Sequence, residues 1–150
     1  MVDNLLELYS GPLKVDDILN RWYNSLHNEN FGAFISFVGT VRDEDRIEGL
    51  SFDIYEPILK NWFNMWQEKA KKEGAIVLMA HSIGDVPLHK SSYISAVCSP
   101  KRKIALKMID EFVEDFKKSA PIWKYDIVDR ERVYAKDRSS ALPNSGLLGR

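Results

Sequence analysis

Cysteine is nearly absent from this chain. Cys98 is the single one in 150 residues, which excludes an internal disulfide and any multi-cysteine metal site. Long apolar runs are missing too. No 18-residue apolar stretch occurs, so no segment reads as a membrane span. Neither sign of charge is in excess. A formal net charge of -1 provides no bulk basic field for nucleic acid and no acidic surplus for a solvating tail. Met1 to Ser10 carries no basic region ahead of a long apolar stretch and does not read as a secretory signal. A reducing, cytoplasmic setting is the expectation. The sequence also lacks a phosphate loop, a dinucleotide fingerprint, a nucleophile elbow and a zinc-protease histidine pair.

What is present is an ordinary globular composition: 45% hydrophobic, 29% charged, with four tryptophans to bury. A chain of this length buries roughly 70% of its unfolded surface, enough for one core without disulfides or metal. Leu5 to Tyr9 is a short apolar run closed by Ser10-Gly11-Pro12, which reads as a strand and turn. Val15, Ile18, Leu19, Trp22 and Leu26 follow helical spacing. Gly32 to Val41 reads as a strand, followed by an acidic loop from Arg42 to Gly49. Leu50, Phe52 and Ile54 alternate with Ser51, Asp53 and Tyr55, as in a half-buried strand. Pro57 suits the first turn of a second helix whose stripe is Ile58, Leu59, Trp62, Phe63 and Trp66, and Gly74 stops it.

Ala75 to Ala80 is continuously apolar, as in a strand buried on both faces, with His81 at its end and Val86-Pro87 as an interruption. Ser92 to Cys98 is a further strand. Ser99 and Pro100 look like the N-cap and first residue of a third helix with Ile104, Met108, Ile109, Phe112, Val113 and Phe116 inward. Pro121 ends it, and a strand from Trp123 to Val128 follows, with Val133 to Ala135 as a candidate further strand. Paired strands between helices give an α+β chain with a mixed, largely antiparallel sheet and three helices. One domain is expected over residues 1–138, with a flexible tail over 139–150.

The informative signal is basic. From Lys101 to Lys124, seven cations face four acids, a surplus of three in a chain that is slightly negative overall. Lys103, Lys107 and Lys118 fall on the solvated face of the third helix. Arg102 and Lys117 fall on one edge of the apolar stripe, fifteen positions and so roughly 22 Å apart. They cannot both hold one small anion within a single chain. Either there are two sites, or a second subunit brings its Arg102 end to this Lys117 end. Lys124 returns just past Pro121, where it can meet Lys117. Two ammonium groups held together lower each other's proton affinity, which is how lysine becomes a nucleophile or base near neutral pH. Arg42 offers a planar fork to phosphate, or else a salt bridge to the acidic loop beside it. His27, His81 and His89 lie in three separate segments. His81 reads as a structural histidine and His89 as solvated. Cys98 precedes a helix N-terminus, where a thiol can be activated, although a buried inert thiol is the simpler reading. No metal-ligand set is present.

Gly32-Ala33-Phe34 through Phe37-Val38-Gly39-Thr40-Val41-Arg42, His81-Ser82-Ile83-Gly84, Lys101-Arg102 and Lys117-Lys118-Ser119-Ala120-Pro121-Ile122-Trp123-Lys124 together resemble the large, catalytic subunit of molybdopterin synthase. The resemblance runs from about Gly32 to Ala135. It implies a hammerhead-like α+β fold and a homodimer within a heterotetramer, each large subunit binding one small ubiquitin-like sulfur carrier. The carrier's C-terminal Gly-Gly, as a thiocarboxylate, would enter the large subunit's pocket. Sulfur would pass twice to cyclic pyranopterin monophosphate, forming the dithiolene of molybdopterin, with no metal or cofactor held by the enzyme. By match, Lys117 is the lysine nearest the carrier's terminal carbonyl, and Lys124 is its partner base or electrostatic stabiliser. Arg42, Lys101, Arg102 and Lys136 would line the pocket for the substrate phosphate, some of them contributed across the dimer. Lys101-Arg102 stands where the family usually has His-Arg. Position 101 therefore offers a point charge and not an imidazole base.

Two readings from other classes compete. One is a non-enzymatic α+β module that binds a phosphate-bearing effector on the Lys/Arg edge. The other is a hydrolase that uses Cys98 with His81. RNA binding is poorly supported, because the basic cluster lacks interleaved exposed aromatics.

Overall fold

The computed structural model describes residues 4–26 and 29–135. His27, Lys136 and the 139–150 tail lie outside the described residues. The elements in chain order are β1 (Leu6–Ser10), α1 (Val15–Leu26), β2 (Ala33–Thr40), β3 (Gly49–Ile54), α2 (Glu56–Lys72), β4 (Ile76–Pro87), β5 (Ser91–Ser99), α3 (Arg102–Ser119), β6 (Ile122–Val128) and β7 (Glu131–Tyr134). The seven strands form one sheet in the order β2-β5-β4-β3-β6-β7, with β1 also paired to β4. β1 with β4 is parallel and the other pairs are antiparallel. The α+β class with a mixed, largely antiparallel sheet and three helices is therefore what the chain adopts. Among the described residues no helix is long and apolar enough to cross a membrane.

Helices cover both faces of the sheet. Val77, Met79, Tyr93 and Val97 pack with Leu59, Trp62, Phe63 and Trp66 of α2 and with Met108, Ile109, Phe112 and Val113 of α3. Leu78, Ala80, Ile94, Ala96 and Cys98 face the other way, against Ile18, Trp22 and Leu26 of α1. The continuous apolar run at the start of β4 exists because both of its faces are covered. A third, smaller cluster of Val41, Phe52 and Val86 lies where β3 and β6 extend the sheet.

Two local expectations are corrected. β4 does not end near Ala80 but continues to Pro87, so His81 lies in mid-strand and Val86-Pro87 is inside the strand. The second half of β4 pairs with β3, from Phe52 opposite Gly84 to Gly49 opposite Pro87. That pairing outweighs the local turn signals. α3 begins at Arg102, with Lys101 and not Ser99 in the capping position. The Ser99 hydroxyl donates to the Lys101 carbonyl at 2.6 Å and does not accept a helix N–H.

α1 is fastened through a buried carboxylate. Glu7, on β1, is only 7% exposed. It accepts Nη1 and Nη2 of Arg21 at 2.8 and 2.6 Å, Nε1 of Trp22 at 2.9 Å and the Tyr9 hydroxyl. Burial alone would raise its pKa. The hydrogen bonds from Arg21, Tyr9 and Trp22 and the Arg21 charge outweigh burial and leave it below the ordinary value of 4.5.

Two stability predictions follow from this packing. Glu7→Gln should cost about 2–3 kcal/mol in urea unfolding, since it leaves Arg21 and Trp22 poorly matched. The folded state binds the Glu7 proton more weakly than the unfolded chain does. Its stabilisation is therefore full above about pH 4.5 and lost as pH falls through the lower folded value. The Gln variant should lack that part of the acid limb. Gly32→Ala should cost about 1–3 kcal/mol, because a Cβ there would lie 2.4 Å from the Pro100 carbonyl oxygen. A melting temperature equal to wild type would refute that close approach.

Candidate functional site

α3 is an amphipathic rod whose inner stripe is locked by aromatic packing. Phe112 meets Trp62, Phe63 and Trp66 with ring centroids at 5.1, 6.3 and 5.2 Å. Near its end, Asp115 accepts Nε1 of Trp62 at 2.8 Å and Nε1 of Trp66 at 2.7 Å on one oxygen, and the Ser119 hydroxyl at 2.9 Å on the other. Burial would raise the Asp115 pKa. The bonds from Trp66, Trp62 and Ser119, with the Lys69 charge, bring it below the usual carboxylate range. An ionised carboxylate thus ties the last turn of α3 to α2. Lys117 lies in that turn and is exposed. Ala120 N–H bonds back to the Phe116 carbonyl at 3.1 Å, and the Pro121 carbonyl accepts Tyr55 N–H at 3.1 Å. The chain then reverses into β6.

Lys124 sits in β6, half-buried, directly opposite Phe52 of β3. Trp123, opposite Asp53, faces the other side. The Lys124 carbonyl accepts the N–H of Ala135 at 3.1 Å. β7 therefore delivers the chain to Lys124 at the residue before Lys136. Lys136 itself lies outside the described residues.

Arg42 follows β2. A register shift between Gly39 and Thr40 precedes Val41, whose N–H and carbonyl pair with Lys90 and His89 at 2.9 and 2.7 Å. Val41 is buried against Phe52 and Val86, so Arg42 emerges into solvent beside that cluster. Its Nη2 donates to Glu44 at 3.1 Å, and its side chain is 78% exposed. Of the two readings of Arg42, the salt bridge is the contact formed here. Such an exposed pair is worth about 0–1 kcal/mol and is readily exchanged for a better anion.

Lys117 thus ends α3 just before the turn into β6, Lys124 lies opposite Phe52, and Arg42 follows Val41, which packs against Phe52. Lys101 and Arg102 are both exposed at the opposite end of α3, about 22 Å away along the helix axis.

The Cys98–His81 pairing is overturned. Cys98 packs under α1 on one face of the sheet, and burial pushes its thiol up to about 12. His81 contacts Phe116 of α3 on the other face. Among the described residues no group of three His, Cys, Asp or Glu could hold a metal ion. Sequence reasoning missed Asp115, which it counted only as a counter-charge. The tryptophans at Trp62 and Trp66, one helical turn apart, were the available hint.

Comparison with known proteins agrees with this architecture. The family model described as MoaE protein matches residues 9–119. The molybdopterin synthase catalytic subunit of Helicobacter pylori (strain ATCC 700392 / 26695) is 49% identical over 144 residues, spanning 96% of this chain and 99% of that protein. The Dictyostelium discoideum protein of the same name is 33% identical over 117 residues, 71% of this chain and 72% of its own. Among solved structures, the complex of subunits 1 and 2 of molybdopterin-converting factor from Helicobacter pylori 26695 aligns with a TM-score of 0.90 at 48% identity, covering 97% of this chain and 99% of the other. Molybdopterin synthase from Staphylococcus aureus shares the fold, with a TM-score of 0.76 at 24% identity over 89% of this chain and 98% of the other. With a fold and a nearly full-length sequence likeness in common, the chain belongs to the MoaE protein family, that of the molybdopterin synthase catalytic subunits.

Proposed function

We propose that the chain works as the catalytic subunit of a molybdopterin synthase in molybdenum cofactor biosynthesis, with Lys117 and Lys124 at the reacting carbonyl. The reading is carried by one observation, the 49% identity over 144 residues to a protein named for that activity. The partners are a small ubiquitin-like carrier that ends in a Gly-Gly thiocarboxylate, cyclic pyranopterin monophosphate, and a second copy of this chain within a heterotetramer. We place the reaction in the cytoplasm.

The chemistry suits the site. The carrier's thiocarboxylate sulfur displaces an oxygen substituent from a substrate carbon: the carbon–sulfur bond forms, the carbon–oxygen bond breaks, the oxygen leaves with its electron pair and takes up a proton, and the product is a thioester. Attack on the thioester carbonyl by water, or first by the Lys117 amine, passes through a tetrahedral oxyanion. Collapse breaks the acyl carbon–sulfur bond and leaves sulfur on the pterin as a thiolate; attack by water gives the carrier carboxylate directly, and attack by the Lys117 amine gives an amide that water then cleaves to the carboxylate. Cations set by a helix end and a strand stabilise that oxyanion without reorganising. Lys117 sits at the helix end, and Lys124 on the neighbouring strand completes the arrangement. A second loaded carrier repeats the step to complete the dithiolene. Arg42 exchanges Glu44 for the substrate phosphate, which its fork grips in two places. Lys136 adds a further positive charge for the phosphate. Lys101 and Arg102 reach the phosphate from the neighbouring subunit, since α3 holds them too far from Lys117 of their own chain.

Two outcomes are expected. Lys117→Ala and Lys124→Ala should each remove most dithiolene formation from thiocarboxylated carrier and pyranopterin, while the melting temperature changes little, because neither truncation empties a core. Near-normal turnover in either variant removes that lysine from the mechanism. Mixing Arg102→Ala and Lys117→Ala chains should restore part of the activity once subunits exchange, since each mixed dimer holds one site with both residues native. Verified mixed dimers that remain at background would refute site sharing.

A further inference from the structure

A single side chain of β4 touches both α3, which carries Lys117, and β3, which pairs with the strand that carries Lys124. His81 lies in mid-strand opposite Tyr93 of β5 and is 2% exposed. Its ring meets Phe52 edge-on at 4.9 Å between centroids. On the other side it lies 5.6 Å from Phe116 and 5.8 Å from Tyr93. Phe116 and Tyr93 stack on each other at 4.4 Å, with planes 12° apart. Phe116 immediately precedes Lys117 in α3. Phe52 is the direct register partner of Lys124. The contacts from Lys117's helix therefore run through Phe116, His81 and Phe52 to β3, the strand paired with that of Lys124.

The ring's orientation is fixed. Its Nδ1 is 2.8 Å from the Ser82 carbonyl, which can only accept, so Nδ1 carries the proton. Burial pushes the pKa down to about 4, against the opposing pull of that carbonyl, so the ring is neutral at physiological pH. No conformational freedom is left to a planar group wedged among three aromatic rings and anchored at one nitrogen.

We infer that His81 is a positioning residue for sulfur transfer: its ring is the spacer that sets the separation of the α3 end bearing Lys117 from the β3–β6 pair bearing Lys124. The inference rests on the functional reading above. Two groups that act on one carbonyl must be placed to a fraction of an ångström, and a misplacement of about 1 Å costs on the order of 100-fold in rate. His81 touches neither lysine's reacting atoms in this role. It acts through Phe116 and Phe52, and it should affect turnover rather than substrate capture.

The test compares His81→Phe with His81→Ala in the assembled synthase, using thiocarboxylated carrier and pyranopterin. His81→Phe keeps a planar ring between Phe52 and Phe116. It should retain kcat to within about threefold. His81→Ala removes the spacer. It should lose about 10- to 100-fold in kcat, while KM for the pterin and carrier affinity stay within about twofold. A simple loss of folded protein would not produce that split once rates are taken per folded site. If His81→Ala does not fold, His81→Leu takes its place, with similar bulk and no ring plane, and should show the same loss in kcat. An Ala or Leu variant with wild-type kcat overturns the inference. So does a folded Phe variant as inactive as Ala, because the nitrogen and not the ring would then matter. Wild-type protein that forms no dithiolene fails the functional reading itself, independently of His81.

Discussion

β4 is the strand on which the rest of the structure depends. Its first half is clamped between the two cores, with Val77 and Met79 towards α2 and α3 and Leu78 and Ala80 towards α1. Its second half leaves that sandwich and pairs with β3, which in turn holds β6. The change of partner is made at Gly84, where φ is +84°, a conformation open to glycine at little cost. Because one continuous strand serves both halves, the end of α3 and the strand bearing Lys124 belong to one rigid body. Their relation does not depend on the loop at Pro121 alone.

Two inward-facing acids are satisfied by donors other than the lysines and arginines assigned above to the site. Two carboxylates, Glu7 and Asp115, are drawn into the structure and kept ionised. Both are satisfied in part by indole N–H groups, Glu7 by Trp22 and Asp115 by Trp62 and Trp66. Three of the four tryptophans therefore bury a large apolar ring and stabilise an anion with the same side chain. Asp115 sits two residues from Lys117, a spacing at which helix side chains do not face each other, and its oxygens face Trp62, Trp66 and Ser119 instead. A cationic site for two anionic partners needs this arrangement: nearby acids must be occupied elsewhere.

Much of this was legible in the sequence, because helical spacing and local turns are short-range signals. The stripes of α1, α2 and α3 and the return of Lys124 past Pro121 depend on residues within a few turns of one another. What could not be read depends on distant partners. Ser82, Gly84 and Val86-Pro87 look like the end of a strand, yet they form the second half of β4 because Gly49 to Phe52 lie alongside. Ser99-Pro100 looks like a helix cap, yet the Ser99 hydroxyl turns to the Lys101 carbonyl. The Ser99 backbone is committed to the β2 pairing, where it lies opposite Ala33 and its carbonyl accepts Gly32 N–H at 3.1 Å. The neighbours of His81 come from β3, β5 and α3, and no local pattern assembles them. Arg42 is open between phosphate and Glu44 in the sequence for a related reason: spacing shows both opportunities, and only the folded chain shows that Glu44 is the contact formed.

The geometry of α3 bears on how the site is completed. Arg102 opens the helix and Lys117 lies in its last turn. The interior contains neither glycine nor proline, the usual origins of a kink. Its inner face is held by Phe112 against three aromatic rings of α2, so bending would break the best-packed part of the core. A hinge therefore cannot bring the Arg102 end to Lys117. Within one chain the two basic ends stay about four turns apart. Any anion that needs both must recruit the second from another copy, and a two-fold axis supplies it twice with one interface. In the shared-site arrangement proposed above, the rigidity of α3 has a use, because a stiff rod would deliver a side chain to a neighbour's site at a fixed distance, and a flexible segment would not.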